Sequence, residues 1–214
     1  MTVRDYKKRI KALRKYIDVV ERKMSANEWN EIDYSAVPSK AMTNYRAAFE
    51  HHDWEGFSSY LSKVNNGEAK INSATLFPYD ILERYHWYDW YRTPVLTEDP
   101  VLEAQWKALP DYVGTEANAI VIADTSGSMT GRPINSAVAL AIYFAERNKG
   151  AFHNLWMSFS HDSKVQKLKG NTLAQKLSSI DTQHWSGDTN LEMAFMNILD
   201  IAVKNNVSPE EMVK

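Results

Sequence analysis

The sequence predicts an α/β protein in which a helical amino-terminal half is joined to a partial parallel sheet with flanking helices. Residues 1–110 carry apolar side chains at helical spacings of three and four, without runs typical of strands. After residue 117, short β-branched or aromatic runs alternate with longer amphipathic ones, the pattern of a Rossmann-type parallel sheet. We therefore expect a helical domain over residues 1–110, a linker over 111–116 and an α/β domain over 117–214.

The composition is that of a globular protein and excludes several chemistries. The 214 residues are 44% hydrophobic and 24% charged, and the net charge of −2 favours no class of partner. The absence of cysteine excludes disulfides, thiolate metal sites and cysteine nucleophiles. The sequence has no apolar run of about 18 residues, so we expect no membrane span. Because the first residues are charged rather than apolar, we expect no signal peptide and a cytoplasmic location.

Residues 1–24 predict a basic amphipathic helix. Its apolar residues recur at alternating spacings of three and four: Tyr6, Ile10, Leu13, Ile17, Val20 and Met24. Nine Lys or Arg stand against three acids in this segment, a net of +6, which leaves −8 for the remainder of the chain. Such a helix contacts RNA, a membrane surface or an acidic partner, or it exposes a solvated face over a packed stripe. The candidate RNA contacts are Arg4, Lys7, Lys8, Lys11, Arg14 and Lys15.

Further helices are expected after Pro38, after Asp53 and after Asp99. The last of these should turn Leu102, Trp106 and Leu109 inward. Between them, residues 85–91 contain five aromatics in seven positions. These rings either fill a core or junction or serve as a platform on which nucleic-acid bases stack.

The second half should alternate strands with helices. Strands are expected at residues 119–124, 155–160 and 164–168, and helices at 132–148, 172–180 and 191–205. The first strand ends in Asp124, which is followed by Ser126 and Ser128, with Gly127 between the serines. One carboxylate and two hydroxyls are hard oxygen ligands that suit Mg²⁺ or Mn²⁺. The alternative is an ordinary strand-to-helix turn, because Asp and Ser are common caps.

The Asp124 loop and the segment 185–190 together resemble the von Willebrand factor A domain and its metal-ion-dependent adhesion site. The resemblance implies that Asp124, Ser126 and Ser128 bind the cation and that Thr189, from the second loop, joins them. It also implies that an acidic residue of a partner protein completes the coordination. The Asp that the third loop of that family supplies has no match here.

Several segments resemble a narrower, uncharacterised family of phages, bacteria, fungi and plants, in which a helical half precedes a von Willebrand A half. They are residues 30–39, 67–72, 104–112, 145–150 and 202–206. The arrangement is similar to the Ro ribonucleoprotein, which implies RNA binding by the helical half. It also implies about six strands, so we expect a chain truncated at its carboxyl end, with the open sheet edge covered by the helical half or another chain.

These observations predict a metal-ion-dependent binding module that mediates protein–protein interaction and is not an enzyme. The alternative is a Ro-like RNA-binding protein that uses the basic and aromatic residues of the helical half. Metal-assisted hydrolysis at Asp124 ranks last, because His153, His161 and His184 have no spacing that pairs them with a nucleophile or metal.

Overall fold

The computed structural model describes residues 1–88, 96–114, 119–159, 163–180, 182, 185 and 190–213. The described residues form nine α-helices and three strands, so the expected α/β class is confirmed at this level. The chain divides into two compact units, Met1–Thr75 and Leu76–Lys214.

The helices of the first unit are α1 (Val3–Tyr16), α2 (Val20–Ala26), α3 (Ser39–His52) and α4 (Trp54–Asn65). The second unit contains α5 (Pro78–Leu82), α6 (Pro100–Lys107), β1 (Ile122–Asp124), α7 (Arg132–Arg147), β2 (Leu155–Phe159), β3 (Val165–Lys167), α8 (Leu173–Ser178) and α9 (Leu191–Lys204). The single helix predicted over residues 1–24 is therefore two helices, because Asp18 takes a left-handed backbone conformation with φ of 46°.

The first unit is built on packed aromatic rings. The Tyr34 ring lies 5.2 Å from Phe49 and 5.0 Å from Phe57, centroid to centroid. Its hydroxyl donates to Asp53 Oδ2 at 2.8 Å, while Asp53 Oδ1 accepts the Gly56 N–H and so caps α4 as predicted. The Asn72 amide donates to the carbonyls of Ser35 and Val37, which ties the end of the unit to the segment that precedes α3.

The sheet of the second unit is mixed, and the prediction of a parallel sheet is wrong for one of its two strand pairs. β1 and β2 are parallel, with Asp124 opposite Phe159, and α7 provides the connection between them. β2 and β3 are antiparallel, with Trp156 opposite Gln166. Only residues 160–164 separate these two strands, which is too short for the crossover that parallel strands need.

Helices cover both faces of this sheet. Trp156, which is fully buried, packs on one face in a cluster that includes Ile142 of α7, Leu102 of α6 and Leu173 of α8. The next residue, Met157, packs on the opposite face with Phe152, Ala194 and Ile198. Adjacent strand residues alternate in this way between faces, so β2 is buried on both sides.

The helices α5 and α6, predicted to belong with the helical half, pack within the second unit. Leu102, Trp106 and Leu109 are buried, as predicted, in the same cluster as Ile134 of α7. The division between the compact units falls between Thr75 and Leu76. The predicted linker stays a prediction, because residues 115 and 116 lie outside the described part of the chain.

Two members of the aromatic run are core residues. Tyr85 and Trp87 are 9% and 5% exposed, and the Trp87 indole donates to Asn135 Oδ1 at 2.9 Å. Buried rings of this kind fill a core and offer no face on which a base could stack. Trp90 and Tyr91 lie outside the described residues.

Candidate functional site

The loop between β1 and α7 carries the predicted cation ligands at the carboxyl end of the sheet. Parallel strands in α/β folds place their binding sites at this end. Asp124 is the last residue of β1 and is half-buried, whereas Gly127 and Ser128 are exposed. A short 3₁₀ turn, Gly127–Met129, precedes the amino terminus of α7 at Arg132.

Two hydrogen bonds organise this loop, one from its backbone to Asp124 and one between its two serine hydroxyls. Asp124 Oδ1 accepts the backbone N–H of Ser126 at 2.9 Å, and Ser126 Oγ lies 3.0 Å from Ser128 Oγ. The buried Thr125 separates Asp124 from Ser126 in the sequence. Among the described residues, no donor reaches the second carboxylate oxygen of Asp124. The structure therefore places the three predicted side chains on one loop, and their role as ligands stays a prediction.

Gly131, rather than Gly127, is the glycine whose backbone conformation this loop requires. Gly131 has φ of 89° and ψ of −135°, a region that side-chain-bearing residues avoid. Gly127 has no positive φ, so its backbone conformation does not require a glycine. Gly127 is conspicuous in the sequence because it lies between the two serines. Gly131 belongs to no motif, and only its backbone angles show that the position requires glycine.

Arg132 brings a positive charge to the start of α7, and sequence reasoning missed it. Its guanidinium lies 3.3 Å from Glu83 Oε1 and 3.6 Å from Asp80 Oδ1, and it lies over the Tyr79 ring at 4.7 Å. These contacts hold the guanidinium against α5 and the turn that follows it. Asp80, Glu83 and Tyr79 lie about fifty positions before Arg132, so no local sequence pattern predicts these contacts.

The second predicted loop falls largely outside the described residues. Thr189 lies outside the described residues, so its role as a ligand stays a prediction. Asn190 caps α9 by accepting the Met193 N–H at 3.0 Å, and its carbonyl accepts the Ser163 hydroxyl. Within the described ranges, no three His, Cys, Asp or Glu side chains are grouped so that they could hold a metal ion. A cation bound at Asp124 would therefore have one carboxylate ligand from the described loop.

All six candidate RNA-binding residues lie on α1 and are exposed: Arg4, Lys7, Lys8, Lys11, Arg14 and Lys15. The expectation of a packed stripe beneath them is wrong for this helix, since none of its residues is buried. Tyr6 is 53% exposed and Leu13 56% exposed. The first buried member of the predicted stripe is Val20, in α2.

His153, the described member of the three histidines after residue 117, is engaged at both ring nitrogens. His153 Nδ1 lies 2.7 Å from the Asn148 carbonyl oxygen, and Nε2 lies 2.9 Å from Asn154 Nδ2. His161 and His184 lie outside the described residues. In the part of the chain that the structure covers, no helix has the length and apolar character needed to cross a bilayer.

Two family models together match the whole chain, and neither describes a von Willebrand factor A domain. The model of a domain of unknown function, DUF2828, matches residues 1–117, and that of a second such domain, DUF7788, matches residues 118–214. The predicted membership of a von Willebrand A family with a Ro-like arrangement is therefore wrong. The Asp-x-Ser-x-Ser pattern is short and built from residues common in turns, which is why it suggested that family.

A viral protein is similar to the chain along its full length. The chain is 28% identical over 229 residues to the uncharacterized protein L728 of Acanthamoeba polyphaga mimivirus. The alignment covers 100% of this chain and 39% of the viral protein, so the chain spans about two fifths of that relative. No solved structure matches the chain.

Proposed function

This chain belongs to the family of the domain of unknown function DUF2828, and we propose that it is a cation-dependent binding module. In this proposal the Asp124 loop binds Mg²⁺ or Mn²⁺, and the cation binds an acidic group of a partner protein. The observation that carries it is that Asp124, Ser126 and Ser128 lie on one partly exposed loop. There the Asp124 carboxylate accepts the Ser126 backbone N–H, and the two serine hydroxyls lie 3.0 Å apart. The proposal assigns the chain no catalysis.

The ligand chemistry of the loop favours coupling between cation and partner. Carboxylate and hydroxyl oxygens are the donors that Mg²⁺ and Mn²⁺ prefer. Asp124 supplies one negative charge, while Ser126 and Ser128 supply orientation without charge. A divalent ion would keep a net positive charge in such a site. A carboxylate from a partner neutralises that charge and fills an open position, so each ligand should strengthen binding of the other.

The surroundings of the loop support access of a partner. Gly127, Ser128 and Thr130 are exposed, and the loop lies where α/β sheets bind their ligands. Arg132 follows directly, and its guanidinium would compete with a cation. Because Asp80 and Glu83 pair with it, the positive charge is partly neutralised.

Titration of Mn²⁺, followed by electron paramagnetic resonance of the free ion, tests the proposal. Asp124→Asn keeps an oxygen that can accept the Ser126 N–H but removes the charge, and it should weaken Mn²⁺ binding by about tenfold or more. Asp200→Asn is the matched control, because this aspartate is exposed on α9 and pairs with Lys204 at 4.0 Å. Equal affinities of wild type and Asp124→Asn would contradict the proposal.

The coupling to an acidic group has its own readout. Acetate, as a minimal carboxylate, should raise the Mn²⁺ affinity of the wild type and should not raise that of Asp124→Asn. Ser128→Ala should weaken binding less than Asp124→Asn does, because a water molecule can replace a neutral hydroxyl ligand. Thr189→Ala should also weaken binding if its loop converges on the same ion.

RNA binding by α1 was the second function expected from the sequence. The exposure of its six candidate residues is compatible with it. The apolar face of the same helix favours a different ligand.

A further inference from the structure

α1 presents an exposed apolar stripe with heptad spacing. Its members are Val3, Tyr6, Ile10 and Leu13 of α1 together with Ile17, the C-cap of the helix, and we call this stripe the α1 seam. Val3, Tyr6, Leu13 and Ile17 are 71%, 53%, 56% and 63% exposed, and Ile10 is half-buried. Spacings that alternate three and four correspond to the a and d positions of a coiled coil. Amphipathic helices normally bury such a stripe, so its exposure indicates an interaction surface.

Interactions at its two ends stabilise α1 although none of its residues is buried, which suits a helix that docks a partner. Thr2 and Asp5 form a reciprocal capping box: the Thr2 hydroxyl accepts the Asp5 N–H at 3.2 Å, and Asp5 Oδ2 accepts the Thr2 N–H at 3.2 Å. The hydrogen bonds from Thr2 also lower the pKa of Asp5, which keeps the carboxylate charged at the positive end of the helix. Arg14 and Lys15 lie in the last turn, where they complement the opposite end of the dipole.

The charges beside the α1 seam specify the partner. With Val3 and Ile10 as a positions, Lys7 and Arg14 fall at e and Arg9 at g, the positions that contact a paired helix. Lys8 and Lys15 fall at f, on the opposite side of the helix. α1 contains seven basic residues and one acid. A second copy of α1 would therefore place basic side chains against basic side chains, which disfavours self-pairing.

Nucleic acid and membranes fit these features less well. RNA binding needs basic and aromatic side chains and gains nothing from an exposed row that includes Ile10, Leu13 and Ile17. Membrane-surface helices carry a broad apolar face, whereas a stripe confined to a and d positions is the narrower seam of a coiled coil. An acidic amphipathic helix satisfies both the α1 seam and the charges beside it.

We propose that α1 docks an acidic amphipathic helix of a partner protein by coiled-coil pairing along the α1 seam. Apolar side chains of the partner pack against Tyr6, Ile10 and Leu13, and its acidic e and g residues pair with Lys7, Arg9 and Arg14. The surface continues beyond α1 into a groove of about 580 Å³, which is lined by the apolar Ile17, Val20 and Val37 and by the acidic Asp18, Glu21 and Asp33. This groove gives space for a further apolar side chain of the docked helix.

The test uses the full chain and a fluorescein-labelled synthetic peptide of three heptads, with Leu and Ile at a and d and Glu at e and g. Fluorescence anisotropy should show binding, and a peptide with Lys at e and g should not bind. The doubly substituted variant Lys7→Glu, Arg14→Glu should bind the acidic peptide at least about tenfold more weakly. Binding should persist in EDTA, so this proposal can fail or succeed independently of the cation proposal.

A matched variant separates pairing from bulk electrostatics. Lys8→Glu with Lys15→Glu changes the net charge by the same amount but on the side opposite the α1 seam, and it should change the affinity by no more than about threefold. Ile10→Ser with Leu13→Ser keeps every charge and should lose about tenfold or more. Circular dichroism of each variant monitors α1, and a variant that keeps its helix but loses the peptide supports docking.

Three outcomes would overturn the proposal. Equal losses in the two charge-reversal variants would indicate non-specific attraction rather than pairing. Tighter binding of a single-stranded RNA, or of phosphatidylserine-containing vesicles, would identify a different class of ligand. A concentration-dependent dimer in sedimentation velocity that the Ile10→Ser, Leu13→Ser variant abolishes would identify a second copy as the occupant.

Discussion

The carboxylate of Glu103 caps the helix that begins at Leu173, seventy positions further along the chain. Its Oε2 accepts the Leu173 N–H at 2.7 Å, and its Oε1 accepts the Ala174 N–H at 2.9 Å. Tyr85 donates its hydroxyl to the same Oε1 at 2.7 Å. Glu103 is 7% exposed, so its charge is stabilised by these donors and by the positive end of α8 rather than by water.

Glu103→Gln should destabilise the second unit by about 3 kcal/mol, because hydrogen bonds to a charged acceptor are strong and the new amide N–H₂ would face an N–H donor in place of one carboxylate oxygen. Urea unfolding gives the change. Glu98→Gln is the control: Glu98 is exposed and accepts hydrogen bonds from Thr172 and Gln175 of the same region. The control should cost less than about 1 kcal/mol, and similar costs at the two positions would refute the role given to burial.

The sequence predicted elements whose signals are local. The inward face of α6 and the cap of α4 by Asp53 follow from spacing and capping chemistry, and the structure confirms both. The pairing of Glu103 with α8 joins distant segments, and no periodicity records such a contact. The antiparallel pairing of β3 could have been predicted from the sequence, because five residues are too few for the crossover connection that parallel strands need.

The candidate site was predictable in its residue types and not in its backbone. The spacing of Asp124, Ser126 and Ser128 after the first strand identified the candidate ligands, and Asp124 accepts the Ser126 backbone N–H. The positive φ of Gly131 and the pairing of Arg132 with Asp80 depend on how α7 meets α5. The exposed α1 seam shows what an amphipathic pattern leaves open. Such a pattern predicts that an apolar face is buried, but it does not identify the molecule that buries it.

Tyr60 should make the first unit lose stability at alkaline pH. Burial, with a contribution from Asp33, raises the pKa of Tyr60 to about 12 from a usual value of 10.0. The unfolded chain therefore releases this proton first as pH rises above 10, and the stabilisation present below pH 10 is lost between pH 10 and 12. The loss attributable to this group should be roughly 2 to 3 kcal/mol.

Tyr60→Phe isolates that contribution. The variant should lose about 1 kcal/mol at neutral pH, since it lacks the hydrogen bond to the Lys70 carbonyl. From pH 10 to 12 its unfolding free energy should then fall less steeply than that of the wild type. Tyr16→Phe serves as control, because Tyr16 is 88% exposed. Parallel pH profiles of wild type and Tyr60→Phe would contradict the assignment.

The two faces of α9 should respond differently to truncation. Ile198 is 7% exposed and packs with Phe152 and Met157, so Ile198→Ala should cost about 2 to 4 kcal/mol. Phe195 lies on the same helix and is 64% exposed, so Phe195→Ala should cost less than about 0.5 kcal/mol. Chemical denaturation of both variants measures the difference, and a large cost at Phe195 would show that its ring is packed in solution.

Gly131 and Gly127 form a matched pair that tests backbone strain in the candidate site. A Cβ at either position would meet no heavy atom within 4 Å, so steric crowding plays no part in the comparison. Only Gly131 has a positive φ, and placing alanine there should cost about 1 to 3 kcal/mol. Gly127→Ala should be close to neutral or slightly stabilising, because alanine restricts the unfolded chain. Thermal unfolding of the two variants measures the difference. Equal melting temperatures would mean that the loop relaxes freely at Gly131, and the backbone would then not fix the position of Asp124 relative to α7.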